Sequence, residues 1–409
     1  MTDDDGGRPT ALSDLGHPKS NMSERSVTRR RYLAGLGAAG AVGIAGCNDL
    51  TGDSGSPTPT ETATPADDAP GQIGSGREGR EAPGGTPVAE LPDLSGELNV
   101  YSGRGEALVG PLFGFLEDTY PDFTITPRYD GSTDLVNRIL TEGDNAAADV
   151  FYSVNAGSLG ALAAEGRTLT LSDEVREPVP QAYQDSEGRW IGTSGRARTV
   201  PYNTEQFSES DIPDDIFAFP EETRFEGQMG WTPTYGSFQA FVTAMRILNG
   251  PEETREWLEA MQAANVQQYG DEFAIAQAIA DGEIGAGFAN HYYTLRVLDA
   301  RPNAPIDLAF TEGDAGAIFN VAGAAVVDTT SDETLAANFI RHLLSAEAQE
   351  YFATTTFEYP MIPGVEPVQP GSIDLPTIDE LNPPTDIGLS QLADLGPTLE
   401  LMREAGLNV

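Results

Sequence analysis

The sequence predicts an α/β protein of two lobes, with mixed, mostly parallel sheets and a ligand cleft between the lobes. Three observations carry this expectation. From Ser95 onward, short strand-like runs alternate with amphipathic helical runs, the pattern of parallel strands covered by helices. The stretch from Ser95 to Val409 is about 300 residues, more than one apolar core comfortably organises. Strand-to-helix junctions carry Gly, Ser, Tyr, Asn and Arg, at the strand ends where open α/β sheets hold ligands.

Residues 97–101 alternate and read as a first strand, and residues 107–118 as a helix with Leu108, Leu112, Phe115 and Leu116 on one face. Residues 123–128 form a second strand, 133–141 a second helix and 149–152 a third strand, so the opening is βαβαβ. Farther on, 227–231 is strand-like and 238–248 helical. Residues 274–280 are helical, 284–289 form a strand, and 292–298 open another helix. Residues 317–327 are apolar and strand-like. Thr330 and Glu333 then make a capping-box pair ahead of a helix carrying Leu335, Phe339 and Leu343.

The N-terminus reads as an address. Thr28-Arg29-Arg30-Arg31-Tyr32-Leu33 is a twin-arginine export motif, followed by an apolar Ala/Gly-rich run over 33–45, too short for a permanent span. Ile44-Ala45-Gly46-Cys47 resembles a prokaryotic lipobox, so cleavage before Cys47 and lipidation of its thiol are expected. Met22 is a candidate start. Residues 1–46 are therefore a signal peptide, and 47–94 a lipidated cysteine with a disordered Pro/Thr/Gly-rich linker. Residues 95–198 with 325–372 are expected as lobe 1 and 199–324 as lobe 2, with 373–409 packing back on the lobes.

Composition excludes several functions. Cys47 is the only cysteine, so a disulfide framework, a thiolate cluster and a cysteine nucleophile in the folded part are excluded. The histidines are His17, His291 and His342, too few for a Cys/His zinc site. There are 64 acidic residues against 23 basic, a net charge of −41, and Lys19 is the single lysine. An acidic surface without lysine resembles proteins of extreme halophiles, where salt screens carboxylate repulsion. No basic face is available for nucleic acid. There is no HExxH, no P-loop lysine, no GxSxG elbow and no dinucleotide fingerprint in its strand–turn–helix context, so an enzyme has no positive evidence.

Three junctions carry candidate chemistry. Asn290-His291-Tyr292-Tyr293 follows a strand and opens a helix. Two phenols at one junction can converge, and phenolate is a hard oxygen donor suited to a hard cation such as ferric ion. A trivalent cation favours the deprotonated phenol, whose ordinary pKa is about 10. The alternative, one ring in the core and one on the surface, stays open on the residues alone. Tyr101-Ser102-Gly103-Arg104 could offer donors to a small anion or form an ordinary salt bridge. Thr232-Pro233-Thr234-Tyr235-Gly236-Ser237 adds a third phenol and a hydroxyl, or is a plain turn.

Taken together these stretches resemble the ferric-iron-binding proteins of ABC importers, within the type II periplasmic-binding-protein fold. The resemblance runs through Leu98 to Arg104, Glu142-Gly143-Asp144, Ala148 to Tyr152, Ser194 to Arg198, Gly230 to Thr234, Gly282-Glu283-Ile284, Asn290 to Tyr293, Leu343 to Phe352 and Phe357 to Pro360. It implies Tyr292 and Tyr293 as ligands of Fe3+, with Tyr235 as a third phenol. It implies a synergistic carbonate or phosphate held by Asn290, Ser237, Ser102 and Arg104, and it leaves Tyr129 in a loop facing the cleft. Some members carry a histidine where this chain has Gly105 and a glutamate where it has Val154, so those two ligands are missing. The implied protein is a monomeric, lipid-anchored binder on the outer face of the membrane, docking on an ABC permease. Alternatives are a same-fold binder of a polyamine, thiamine or oxyanion, and an anchored hydrolase using His291.

Overall fold

The computed structural model describes residues 71–74, 81–368, 370–371 and 373–409; the export motif, the apolar run and Cys47 lie outside them. β1 (Gly96–Ser102) runs parallel to both β2 (Phe123–Tyr129) and β3 (Val150–Ser153). α1 (Glu106–Thr119) buries Val109, Leu112, Phe113 and Leu116, spaced three and four apart so that they share one face. α2 (Ser132–Glu142) does the same with Leu135, Val136 and Ile139. α3 (Ala156–Ala164) begins where the Asn155 side chain accepts from Ser158 N, satisfying a helix N–H that has no partner within the helix. The short α4 (Asp173–Arg176) leads to β4 (Ile191–Asn203).

β4 is long enough to serve two cores. Beyond it come β5 (Met229–Trp231), α5 (Gly236–Asn249), α6 (Pro251–Ala263), β6 (Gln267–Gln268) and α7 (Glu272–Ala280). Then follow β7 (Ala286–Gly287), β8 (Ala289–Asn290), α8 (His291–Ala300), β9 (Ile306–Ala309) and β10 (Phe319–Val326). α9 (Glu333–Leu343), α10 (Ala346–Tyr351) and α11 (Leu395–Glu404) close the chain. The strand order is β2-β1-β3-β10-β4-β7-β5-β6, with β8 and β9 also on β4. β10 is antiparallel to β3 and β4, while β5 is parallel to β6 and β7, so the sheets are mixed.

One apolar core draws on residues 73–197 and 319–365, and a second on 200–318 and 392–407. The chain leaves the first between Ala197 and Val200 and returns between Ile318 and Phe319, ahead of the expected 325. A third core packs α7 and α8 with Phe357, Ile373 and Leu375. α11 buries Leu401 and Met402 in the second core, and Arg246 on α5 pairs with Asp394 at 2.6 Å just before it.

Three expectations need correction. The linker does not reach residue 94. Ile73, Val88 and Leu94 are buried in the first core, and Gly71 N and Val88 N donate to Glu347 at 3.0 and 2.9 Å. A Pro/Gly-rich average hides three apolar anchors. The strand expected over 284–289 is two short strands, because β7 bridges β4 and β5 while β8 pairs with β4 alone. Thr330 is not a cap; its hydroxyl donates to Asp149 at 2.7 Å, and Asp332 caps α9 through Leu335 N. Aspartate one residue before the helix reaches the N–H that Thr330 cannot.

Both described histidines are buried as neutral rings. His342 touches Asn338 O through Nδ1 and the Tyr120 hydroxyl through Nε2, and burial lowers its pKa. Burial lowers that of His291 to about 4. The unfolded chain protonates histidine near 6.5, so it binds more protons than the folded chain as pH falls from there. Stability is expected to drop by up to about 3 kcal/mol for His291 between roughly pH 6.5 and 4, then level off. Denaturant unfolding across that window checks it, and His291→Gln should show a shallower slope.

Candidate metal centre

Two strand-to-helix junctions bring three phenols together. β5 ends at Trp231, and Tyr235 N donates to Thr232 O at 2.9 Å, closing a turn that sets Tyr235 at the N-cap of α5. β8 ends at Asn290, the N-cap of α8, so Tyr292 and Tyr293 lie in that helix's first turn. The Tyr235 and Tyr293 hydroxyls are 2.5 Å apart. The Tyr292 and Tyr293 rings pack at 4.3 Å between centroids, tilted by 45°, and Asn290 Nδ2 donates to the Tyr292 hydroxyl at 3.4 Å. Tyr292 and Tyr293 are 7% and 6% exposed, so neither is a free surface ring. Surface hollows of 310 Å³ beside Arg301 and 740 Å³ beside Asp173 hold none of these phenols.

Burial disfavours the charged form at two of the three phenols. Burial raises the Tyr293 pKa, and Tyr292 and Glu272 raise it further. Burial also raises that of Tyr235. Arg296, one turn along α8, lies 5.0 Å over the Tyr292 ring and 5.6 Å over that of Tyr293. Its guanidinium thus sits over the faces of both rings, a cation–π arrangement. Among the described residues no three His, Cys, Asp or Glu side chains cluster as a metal site. The oxygen donors that converge here are mainly phenols.

The other anticipated residues sit elsewhere. Ser237 donates its hydroxyl to Glu272 Oε1. Glu272, fully buried at the first turn of α7, also accepts from Arg198 Nη1 at 2.5 Å and from Asn290 N at 2.9 Å. Sequence reasoning missed both Glu272 and Arg198. Acidic residues are too common here to single one out, and only the antiparallel pairing of Arg198 with Asn290 brings the arginine to the site.

Ser102 and Arg104 turn inward. The Ser102 hydroxyl donates to Arg104 O at 2.8 Å and accepts from Arg104 N at 3.2 Å. Arg104 is 1% exposed; Nη2 reaches Glu358 Oε2 at 2.6 Å and Nη1 the Ser194 hydroxyl at 2.8 Å. This is the salt bridge left open above rather than an open anion fork. Gly103 is required beside it, since a Cβ there would meet Ser132 Oγ at 2.0 Å. His291 connects the two clusters: its ring packs 4.7 Å from Tyr359, next to Glu358, and 5.6 Å from Tyr292. Its Nδ1 accepts from Ala197 N at 3.2 Å, which uses the lone pair a general base would need. Tyr129 closes β2 opposite Ser102 against the first core, and no contact joins it to the phenols among the described residues.

The signature of the bacterial extracellular solute-binding protein family matches residues 115–377. The chain belongs to that family. This solute-binding protein is 30% identical over 299 residues to iron uptake protein A2 of Synechocystis, covering 69% of this chain and 84% of the relative. It is 28% identical over 316 residues to the Fe(3+)-binding periplasmic protein of Serratia marcescens, covering 75% and 90%. Iron-bound HitA from Pseudomonas aeruginosa superposes with a TM-score of 0.68 at 28% identity, over 76% of this chain and 99% of that one. The solute-binding protein thus has the two-lobed type II periplasmic-binding-protein fold, as expected.

Proposed function

We propose that this solute-binding protein captures ferric iron for an ABC importer, with Tyr292, Tyr293 and Tyr235 as tyrosinate ligands. The observation that carries the reading is the convergence of three phenols from two junctions, with the Tyr235 and Tyr293 hydroxyls 2.5 Å apart. At that distance one phenol hydroxyl donates to the other. A trivalent cation placed among them replaces the protons and is held by hard oxygen. Its relatives, an iron uptake protein and an Fe(3+)-binding periplasmic protein, support the same solute.

A carbonate or phosphate co-ligand, as the family resemblance implies, is optional in this reading; Asn290 Nδ2, which faces the Tyr292 hydroxyl, is the donor it would meet. The protein performs no covalent step. Capture by one lobe and closure by the other would present it to a membrane permease. Cys47 is the proposed lipid anchor, reached by twin-arginine export, and the acidic surface fits a monomer working in high salt.

Purified protein titrated with ferric ion is expected to develop a visible tyrosinate-to-iron charge-transfer band that saturates at one ion per chain. Tyr235→Phe should shift and weaken that band while leaving part of it. A colourless titration, with no change in melting temperature, sinks the reading, because a bound solute raises stability by mass action. A thermal screen over polyamines, thiamine and oxyanions would then identify the solute.

A further inference from the structure

The donors around Glu272 have the makeup of an anion site. They are the Ser237 hydroxyl in the first turn of a 14-residue helix, the backbone N–H of Asn290 at the N-cap of a 10-residue helix, and the Arg198 guanidinium. Helix N-termini and a buried arginine together select a small oxyanion. Arg198 is 2% exposed, and its Nε and Nη2 have no hydrogen-bond partner among the described residues. Its positive charge lies over the Phe238 and Phe241 rings at 5.8 and 5.0 Å and is paired with one carboxylate, Glu272. That carboxylate belongs to the chain. Glu272 Oε1 accepts from Arg198 and Ser237, and Oε2 accepts from Asn290 N, so all three donors are taken.

We infer that Glu272 is the resident anion of this site: it fills the cradle from within, so iron capture does not depend on free phosphate or carbonate. The inference rests on the ferric reading above and adds a residue to it. Glu272 lies close enough to the phenols for its charge to act on both Tyr293 and Tyr235. A carboxylate there draws a cation toward the phenols, as a bound oxyanion would. Because it is covalently part of α7, it needs no second solute to be captured at the same time. It also ties β4, α5, α7 and the N-cap of α8 to one point, which makes it a positioning residue for Tyr292 and Tyr293.

The test compares wild type, Glu272→Ala and Glu272→Gln in carbonate-depleted buffer, with inorganic phosphate as the probe. Wild type is expected to bind ferric ion with an affinity that phosphate changes by less than about twofold, and to melt at the same temperature with or without phosphate. Glu272→Ala exposes the three donors and should become phosphate-responsive. Its iron-free melting temperature should rise by about 3 °C or more once phosphate is well above its dissociation constant. Its ferric affinity should recover roughly tenfold on adding phosphate. Glu272→Gln, which keeps the volume and part of the hydrogen bonding, should fall between. A wild type whose ferric affinity rises tenfold or more with phosphate overturns the inference, and so does a folded Glu272→Ala that ignores phosphate. If Glu272→Ala does not fold, the wild-type comparison and Glu272→Gln decide alone. If wild type binds no ferric ion at all, the ferric reading falls, while the melting data on iron-free protein still decide whether Glu272 fills the cradle.

Discussion

Changing Tyr292 and Tyr293 together to phenylalanine is expected to abolish the ferric charge-transfer band and weaken iron binding by well over a hundredfold. Losing a single supporting partner behind a metal ligand costs about 10–100-fold. Here two ligand oxygens disappear at once, leaving Tyr235 alone. The fold should survive, because both rings stay in place to pack in the third core and against each other. The hydroxyls lose their hydrogen bonds, among them Tyr235–Tyr293 and Asn290–Tyr292, so stability should change by about 1 kcal/mol or less per bond. Ferric titration followed by absorbance, with denaturant unfolding of the iron-free protein alongside, separates loss of ligand from loss of fold. The pH dependence has a definite sign. Burial raises the Tyr293 and Tyr235 pKa values, so each phenol needs the cation to lose its proton. Binding releases protons, and affinity falls as pH falls. The double variant should lose that dependence together with the binding.

Arg104→Ala is expected to be the most damaging single change to stability, costing about 3–5 kcal/mol. It leaves Glu358 buried with the hydroxyls of Ser194 and Thr356 as its remaining donors. Burial by itself would raise the Glu358 pKa, but Arg104 and Arg196 outweigh it and hold the carboxyl below its ordinary range. The stabilisation is therefore present above the ordinary carboxylate pKa and lost as pH falls through the depressed value. In Arg104→Ala the carboxyl should instead titrate above its ordinary range. The paired replacement Arg104→Met with Glu358→Leu should recover much of the loss, since the penalty comes from an orphaned charge. Denaturant unfolding of the single and double variants measures both. If Arg104→Ala unfolds at the wild-type midpoint, the ion pair does not stabilise the fold.

The distance in sequence between Arg104 and Glu358 explains why the arginine's role is not legible from its neighbours. Tyr101-Ser102-Gly103-Arg104 reads as a turn able to hold an anion. Its partner Glu358 follows Phe357, a non-glycine residue with φ of +57°, at the end of a π turn over Phe352–Thr356. That backbone bend, with Tyr359 bridging to Gly195 on β4, delivers the carboxylate to Arg104. Gly195 has to be glycine, because a Cβ there would lie 2.1 Å from the Phe319 ring. Nothing at 102–104 encodes an event 254 positions away.

The phenols were easier to place for a local reason. Tyr292 and Tyr293 are adjacent on one helix turn, and the alternation that ends β8 and the pattern that begins α8 are both visible in the chain. Tyr235 needed only a strand-turn-helix reading. Sequence patterning by itself determined the α/β alternation, the two-lobed expectation and the junctions on which the phenols stand, because each depends on residues within a few positions of one another. Tertiary structure decided which donors those junctions keep free. The return of β10 beside β4, the pairing of Arg198 with Asn290 and the insertion of Glu272 between two helix N-termini are contacts between distant segments. A buried charge goes to whichever partner the packed backbone brings within reach, and in this chain that partner is its own carboxylate.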